Sequence, residues 1–241
     1  MTLTAFSFRP WTAAATALLL TTLVLAACGG GGGSAGDSGS STPQTPACVP
    51  AGAVTPPATG PLDPQVTLTY SNGLGVNGTV VLTLNRTQAP VTVANFLSYV
   101  NSGFYNCTII HRYSPGFIVQ GGAYASPVAV GGTLPTAKAT GNPIVLEDNK
   151  GLSNARLTIA MARTSTPDSA TSQYFFNLAN NTGLDATSTA RGYAVFGSVT
   201  SGSAVIDAMA TAPCTAWTAL VFAGECVPSP NVVLMSAVQT R

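Results

Sequence analysis

Hydrophobic and polar positions change their period several times along the chain, and each change marks an element. Val66 to Tyr70 alternates apolar and polar, the two-residue period of a half-buried strand. Thr79 to Leu84 is β-branched, and the stretch Ser71-Asn72-Gly73-Leu74-Gly75-Val76-Asn77-Gly78 before it is dense in turn residues, so the pair predicts a β-hairpin. Ala89 to Val100 shifts to helical spacing, with Pro90 suited to a first turn and Gly103 to a stop. Short apolar runs follow around 108–110, 117–120, 144–146, 157–161, 174–178 and 193–199, broken by Gly, Asn and Pro. Ser203 to Ala210 predicts a second helix with Val205, Ile206 and Met209 on one face, and Val232 to Val238 a last strand. Many short strands with frequent turns point to a sandwich or barrel. A mostly antiparallel barrel with two helices is the expected architecture.

The N-terminal pattern is different. Residues 1–12 hold one basic residue, Arg9, and no acid, and Ala13 to Ala27 is apolar apart from three Thr. At about 15 residues this run is short of the ~20 that a membrane span needs. A basic start, a short apolar run and small closing residues read as an export signal over 1–27. The run ends Leu25-Ala26-Ala27-Cys28, which resembles the lipobox of bacterial lipoproteins, so Cys28 is the expected lipidation site and mature N-terminus. Gly29 follows instead of the Asp that often marks inner-membrane retention. The expected location is therefore periplasm-facing, held by lipid at Cys28, with the outer membrane favoured. Residues 28–64 are a Gly/Ser-rich and then Pro-rich tether, flexible first and semi-rigid later. The Gly run has no Gly-Lys-Ser/Thr context and is not a phosphate loop. The folded domain is expected over 65–241.

Composition narrows the function classes. Only 7% of the chain is charged and the net charge is +1, so there is no basic field for nucleic acid. The single His, His111, excludes zinc sites with several His ligands. Of five Cys, Cys28 is assigned to lipid, leaving Cys48, Cys107, Cys214 and Cys226. An exported chain with an even number of Cys is expected to form disulfides, and three connectivities are open. Cys214–Cys226 would close a short loop after the second helix, and Cys48–Cys107 would pin the Pro-rich lead to the domain. The spacings lack the Cys-x-x-Cys pairs of structural zinc sites, so no metal is expected.

The stretch from Phe104 to Gly122, containing Ile110-His111-Arg112-Tyr113-Ser114-Pro115-Gly116-Phe117-Ile118-Val119-Gln120-Gly121-Gly122, resembles the signature of cyclophilin-type peptidyl-prolyl isomerases. Three further blocks agree in order: Ala89 to Leu97, Ile159 to Arg163 with Ser172 to Phe176, and Gly192 to Gly197. The resemblance covers roughly 66–240. It implies a mainly β fold, an eight-stranded antiparallel β-barrel capped by two α-helices, with a substrate groove on its outer face. It also implies isomerisation of X–Pro bonds; with the export signal, the expected substrates are exported polypeptides, and no cofactor and a monomer are expected.

Rotation about an X–Pro bond crosses a barrier of ~18–20 kcal/mol set by amide resonance. No covalent bond need break, so the enzyme must favour the twisted amide over the planar one, and a cation near the pyramidal prolyl nitrogen does so selectively. Arg112 is the expected donor, since its guanidinium stays protonated and offers a fixed fork of N–H groups. Arg112, Gln120 and Phe117 form the expected catalytic set, with Gln120 accepting from Arg112 and donating to the substrate carbonyl. Phe117, Ile118, Phe175 and Leu184 are expected to line the proline pocket. Met161 and Ala162 are expected along the groove floor, with the Ala162 backbone pairing to substrate like an added strand, and Tyr193 at the position where many relatives have His. His111 is expected to be structural, because isomerisation moves no proton. Gly183 falls where the family usually has an aromatic groove wall, which implies a more open site and weak cyclosporin binding. Arg163 adds a cation near the groove that would favour acidic flanking residues. A low-turnover proline-peptide binding or assembly module is the alternative reading.

Overall fold

The structure, a computed structural model, describes Cys48 and residues 63–241. The expected signal over 1–27, the expected lipidation site Cys28 and most of the expected tether lie outside the described residues. Ten strands and two α-helices follow one another as β1 (Gln65–Ser71), β2 (Asn77–Leu84), α1 (Pro90–Asn101), β3 (Thr108–Ser114), β4 (Ile118–Ala125), β5 (Thr158–Met161), β6 (Tyr174–Asn177), β7 (Val195–Ser201), α2 (Ser203–Met209), β8 (Cys214–Thr215), β9 (Val227–Pro228) and β10 (Val233–Gln239). Eight of the strands close an antiparallel barrel in the order β1-β10-β3-β4-β6-β5-β7-β2, and β8 and β9 pair only with each other.

Alternation decides what fills the barrel. Val66, Leu68 and Tyr70 of β1 point inward with Leu82 and Leu84 of β2, and all five are fully buried. Phe96 and Val93 of α1 and Ile206 and Met209 of α2 join the same interior cluster. Phe96 lies 5.0 Å from the Phe196 ring and 5.9 Å from Tyr174. A hydrogen bond between interior ring hydroxyls, Tyr70 to Tyr174 at 2.8 Å, gives both phenols a partner where water does not reach.

Helix α1 starts at Pro90 with no side-chain cap from Ala89. A distant carboxylate substitutes: Glu147 accepts from the Val91 and Thr92 amides at 3.2 and 2.8 Å and from the Thr92 hydroxyl at 2.7 Å. At the other end Gly103 takes φ +71°, its N–H meets the Val100 carbonyl, and the Phe104 N–H reaches back to Tyr99. That double return needs a left-handed residue, which is why Gly103 stands there.

One expected strand is absent. Residues 144–146 form only an isolated bridge, Ile144 to Ala170. Val145 is exposed, and the Leu146 N–H is taken by the Asp168 carboxylate at 2.8 Å. The run carries Glu147 to the start of α1, and its Ile144 and Leu146 amides are met by the Ala170 carbonyl and the Asp168 carboxylate instead of by a neighbouring strand.

Candidate functional site

The barrel register builds a single row across five strands. Arg112 of β3 faces Gln120 of β4, Gln120 faces Phe175 of β6, Phe175 faces Ala160 of β5, and Ala160 faces Val195 of β7. Residues paired across antiparallel strands share a face. Phe175, Ala160 and Val195 form, with Ile118 and Ala162, an apolar cluster separate from the interior core. Phe117, Leu152, Leu184 and Tyr193 pack against its margin, half-buried. The result is an apolar surface with one guanidinium and one amide at its end.

Met161 is a correction. Expected along the groove floor, it faces Tyr174 and packs in the interior core, because strand parity sends it to the opposite side from Ala160 and Ala162. The Ala162 N–H is also committed, to the Gln173 carbonyl at 2.9 Å, so two-way strand pairing at Ala162 is limited to its own carbonyl.

Local geometry explains the Gln120-Gly121-Gly122 motif. Gly122 has φ +86°, and a Cβ there would lie 2.7 Å from the Ser172 carbonyl oxygen. The Ser172 hydroxyl donates to the Gly122 carbonyl at 2.8 Å, and Tyr105 donates to the Ser172 carbonyl at 2.7 Å. The glycines let β4 press against the segment leading into β6, which sets Gln120 beside Phe175.

The polar end of the row is tightly bonded. Arg112 Nη1 donates to Gln120 Oε1 at 2.9 Å, and Gln120 Nε2 donates to Gln173 Oε1 at 2.9 Å. Arg112 Nε and Nη2 donate to Glu225 Oε2 and Oε1 at 2.7 and 2.5 Å. The Phe222 ring lies 5.4 Å from the guanidinium carbon and is 42% exposed, whereas Arg112 itself is only 7% exposed.

His111 sits behind this arrangement, 5% exposed, its ring edge-on to Tyr124 at 4.9 Å. Burial, followed by the Arg112 charge, lowers its pKa from 6.5 to about 4, against smaller upward pulls from hydrogen bonds with Gln173 and the Ile109 backbone. The imidazole is neutral near pH 7, leaving Arg112 as the cation of the row.

The far wall is set by short loops. Asn181 donates to the Phe117 carbonyl at 2.8 Å, and Tyr193 N–H to the Leu184 carbonyl at 2.9 Å. Asp185 accepts from the Ser153 hydroxyl and the Asn154 amide, fixing the turn that carries Leu184. Tyr193 stands nearly perpendicular to Phe175, ring centres 5.7 Å apart. The Arg163 guanidinium covers Tyr193 at 4.6 Å and donates to the carbonyls of Thr164, Arg191 and Gly192. Arg163 thus braces the loop under Tyr193. Gly183 is exposed, and a Cβ built on it meets nothing within 4 Å, so this side of the groove is open.

Disulfides join Cys48 to Cys107 and Cys214 to Cys226. Among the described residues, no three His, Cys, Asp or Glu are grouped to hold a metal ion, and no helix is long and apolar enough to cross a membrane. Glu225, Phe222 and Gln173 are site residues that received no role from the sequence. The one available signal was scarcity: residues 65–241 hold only six acids, so an acid beside a half-cystine, as in Glu225-Cys226, was worth placing.

The family described as cyclophilin type peptidyl-prolyl cis-trans isomerase/CLD matches residues 66–237. Peptidyl-prolyl cis-trans isomerase A of Dickeya dadantii is 47% identical over 160 residues, covering 66% of this chain and 78% of the relative. A peptidyl-prolyl cis-trans isomerase of Acinetobacter baylyi is 48% identical over 136 residues, 56% of this chain and 69% of the relative. In fold the chain is similar to a cyclophilin type isomerase of Cryptosporidium parvum solved in the presence of the dipeptide Ala-Pro. That likeness has TM-score 0.56 and 20% identity, and covers 73% of this chain and 99% of that one.

Proposed function

The chain belongs to the cyclophilin-type peptidyl-prolyl cis-trans isomerases, and we propose that it turns over X–Pro bonds on the outer-face row by holding Arg112 against the twisted amide. The observation that carries this is the register: one buried cation and its amide partner, Arg112 and Gln120, end a row whose other three members are apolar. A proline ring seated on Phe175, Ile118 and Val195, with Phe117 and Leu184 at the margin, brings its nitrogen toward the guanidinium. As the amide twists, resonance is lost and the nitrogen pyramidalises. Its lone pair then accepts from an Arg112 N–H, an interaction the planar amide does not offer. Gln120 holds Nη1 and keeps a second amide proton for the substrate carbonyl. The Ala162 carbonyl accepts from the peptide backbone. A fold neighbour solved with Ala-Pro is consistent with a prolyl ligand here.

Arg112→Ala tests the reading. In a protease-coupled isomerisation assay on the disulfide-bonded domain, kcat/KM is expected to fall on the order of 10²–10³-fold, the usual loss for one such donor. Equal rates for the two proteins would refute it. One observation favours the second reading, a binding or assembly module: the missing wall at Gly183 weakens the grip on substrate. That reading predicts measurable proline-peptide binding with turnover near the uncatalysed rate.

We further propose that the domain works on exported proteins from a lipid anchor at Cys28. Leu25-Ala26-Ala27-Cys28 at the end of the apolar run supports this.

A further inference from the structure

A donor that must meet one lone pair of a twisted amide needs a defined direction, and an arginine side chain is long and flexible. Strand β3 fixes only the Arg112 backbone. What fixes its head is mostly a residue 113 positions away: Glu225 takes the whole Nε/Nη2 edge through two charge-assisted hydrogen bonds. With the Gln120 bond, three of the five guanidinium N–H groups are committed, and one remains on each Nη. The carboxylate is itself held. Glu225 Oε2 also accepts from the Phe222 N–H at 3.2 Å, and the Glu225 N–H returns to the Phe222 carbonyl at 3.1 Å, so the turn closes on its own side chain.

The segment that carries Glu225 is tied to the strand that carries Arg112. Cys226, the next residue, exchanges two backbone hydrogen bonds with Tyr113, at 2.8 and 3.0 Å. The Cys214–Cys226 disulfide and the β8–β9 pair close the segment at its base. Trp217, Val221 and Val227 bury it in a second apolar cluster against Ile109 and Tyr124, outside the barrel. Both side chains of the ion pair are 8% exposed, in contrast to Arg156–Asp207 on the surface, where they are 45% and 55% exposed. Exposed pairs of that kind are mobile and screened, whereas an enclosed, bidentate pair holds one geometry.

Building on the role proposed for Arg112, we infer that Glu225 is a positioning residue for the isomerisation. It pins one edge of the guanidinium so that the remaining Nη protons face the prolyl amide. The disulfide-closed segment between α2 and β10 is the mount that makes this orientation permanent.

A double-mutant cycle tests this, with kcat and KM resolved by exchange spectroscopy on a proline peptide and folding checked by thermal melts. Glu225→Ala is expected to lower kcat roughly 10–10²-fold, the scale of a misaimed group, with little change in KM. Glu225→Gln, isosteric but with one acceptor oxygen, is expected to fall between that variant and the native protein. In an Arg112→Ala background, Glu225→Ala is expected to do nothing further to kcat. If Glu225→Ala fails to fold, the Gln variant alone and in the Arg112→Ala background carries the same comparison. A kcat equal to or above the native value after loss of Glu225 would overturn the inference, as would equal effects with and without Arg112. A native protein with no activity, or one that Arg112→Ala leaves unchanged, would instead overturn the function proposed for Arg112.

Discussion

Replacing His111 by Gln removes a proton-binding site that the native fold suppresses. The native imidazole titrates at about 4, driven down first by burial and then by Arg112, while the unfolded chain binds the same proton near 6.5. Between those values the unfolded state takes up a proton that the folded state refuses, so stability falls as the pH falls. The slope is about 1.4 kcal/mol per pH unit, which gives about 2 kcal/mol lost by pH 5 and about 3 kcal/mol by pH 4. Above 6.5 both states are neutral and the contribution is intact. Asp148, whose carboxyl the Arg191 hydrogen bonds hold below its ordinary 3.8, loses its contribution only beneath that value, outside this window. The assay is urea denaturation of the native protein and His111→Gln from pH 7.5 to 4.5 with disulfides intact. The native curve should lose about 2 kcal/mol more than the variant between pH 7 and 5. Because the chain has one His, its imidazole resonance can be followed directly. Parallel stability curves, or a native imidazole titrating near 6.5, would refute the reasoning.

Other predictions concern the groove wall, the first helix and the anchor. A Cβ at Gly183 meets no neighbour, so Gly183→Trp is expected to supply an aromatic wall there; cyclosporin affinity measured by calorimetry should rise about tenfold or more, the scale of about 1.4 kcal/mol or more. An unchanged affinity would show that Gly183 is not the missing wall. Glu147→Ala strips two amides and a hydroxyl at the start of α1 of their acceptor and should cost about 1–3 kcal/mol in denaturant melts. No loss of stability would mean that water replaces the carboxylate. Cys28→Ala should move the protein from the membrane to the soluble fraction on cell fractionation, and persistence in the membrane would exclude the lipid anchor.

Much of the fold was legible because its signals are local. Pro90 and Gly103 bracket α1, turn residues separate β1 from β2, and the Gln120-Gly121-Gly122 motif needs no distant information to be noticed. Where local signals misled, a partner was missing from view. The run at 144–146 has the composition of a strand, yet its backbone bonds go to the Asp168 carboxylate and to Ala170. Met161 sits within a family block but one residue out of phase with Ala160 and Ala162. Shifting by a single residue moves a side chain to the other face of a sheet, and two bulges in the β3–β4 pairing change the count further.

The sequence by itself determined the family and the residue types that the chemistry requires: a permanent cation, an amide partner and apolar rings for a proline. Tertiary structure decided which of them meet. Cross-strand register aligned Arg112, Gln120, Phe175, Ala160 and Val195, and burial made His111 neutral. A disulfide-closed segment brought Glu225 to Arg112 across 113 residues. Pairings at that separation depend on chain closure and on what else is buried nearby, and neither quantity is written in any local pattern of residues.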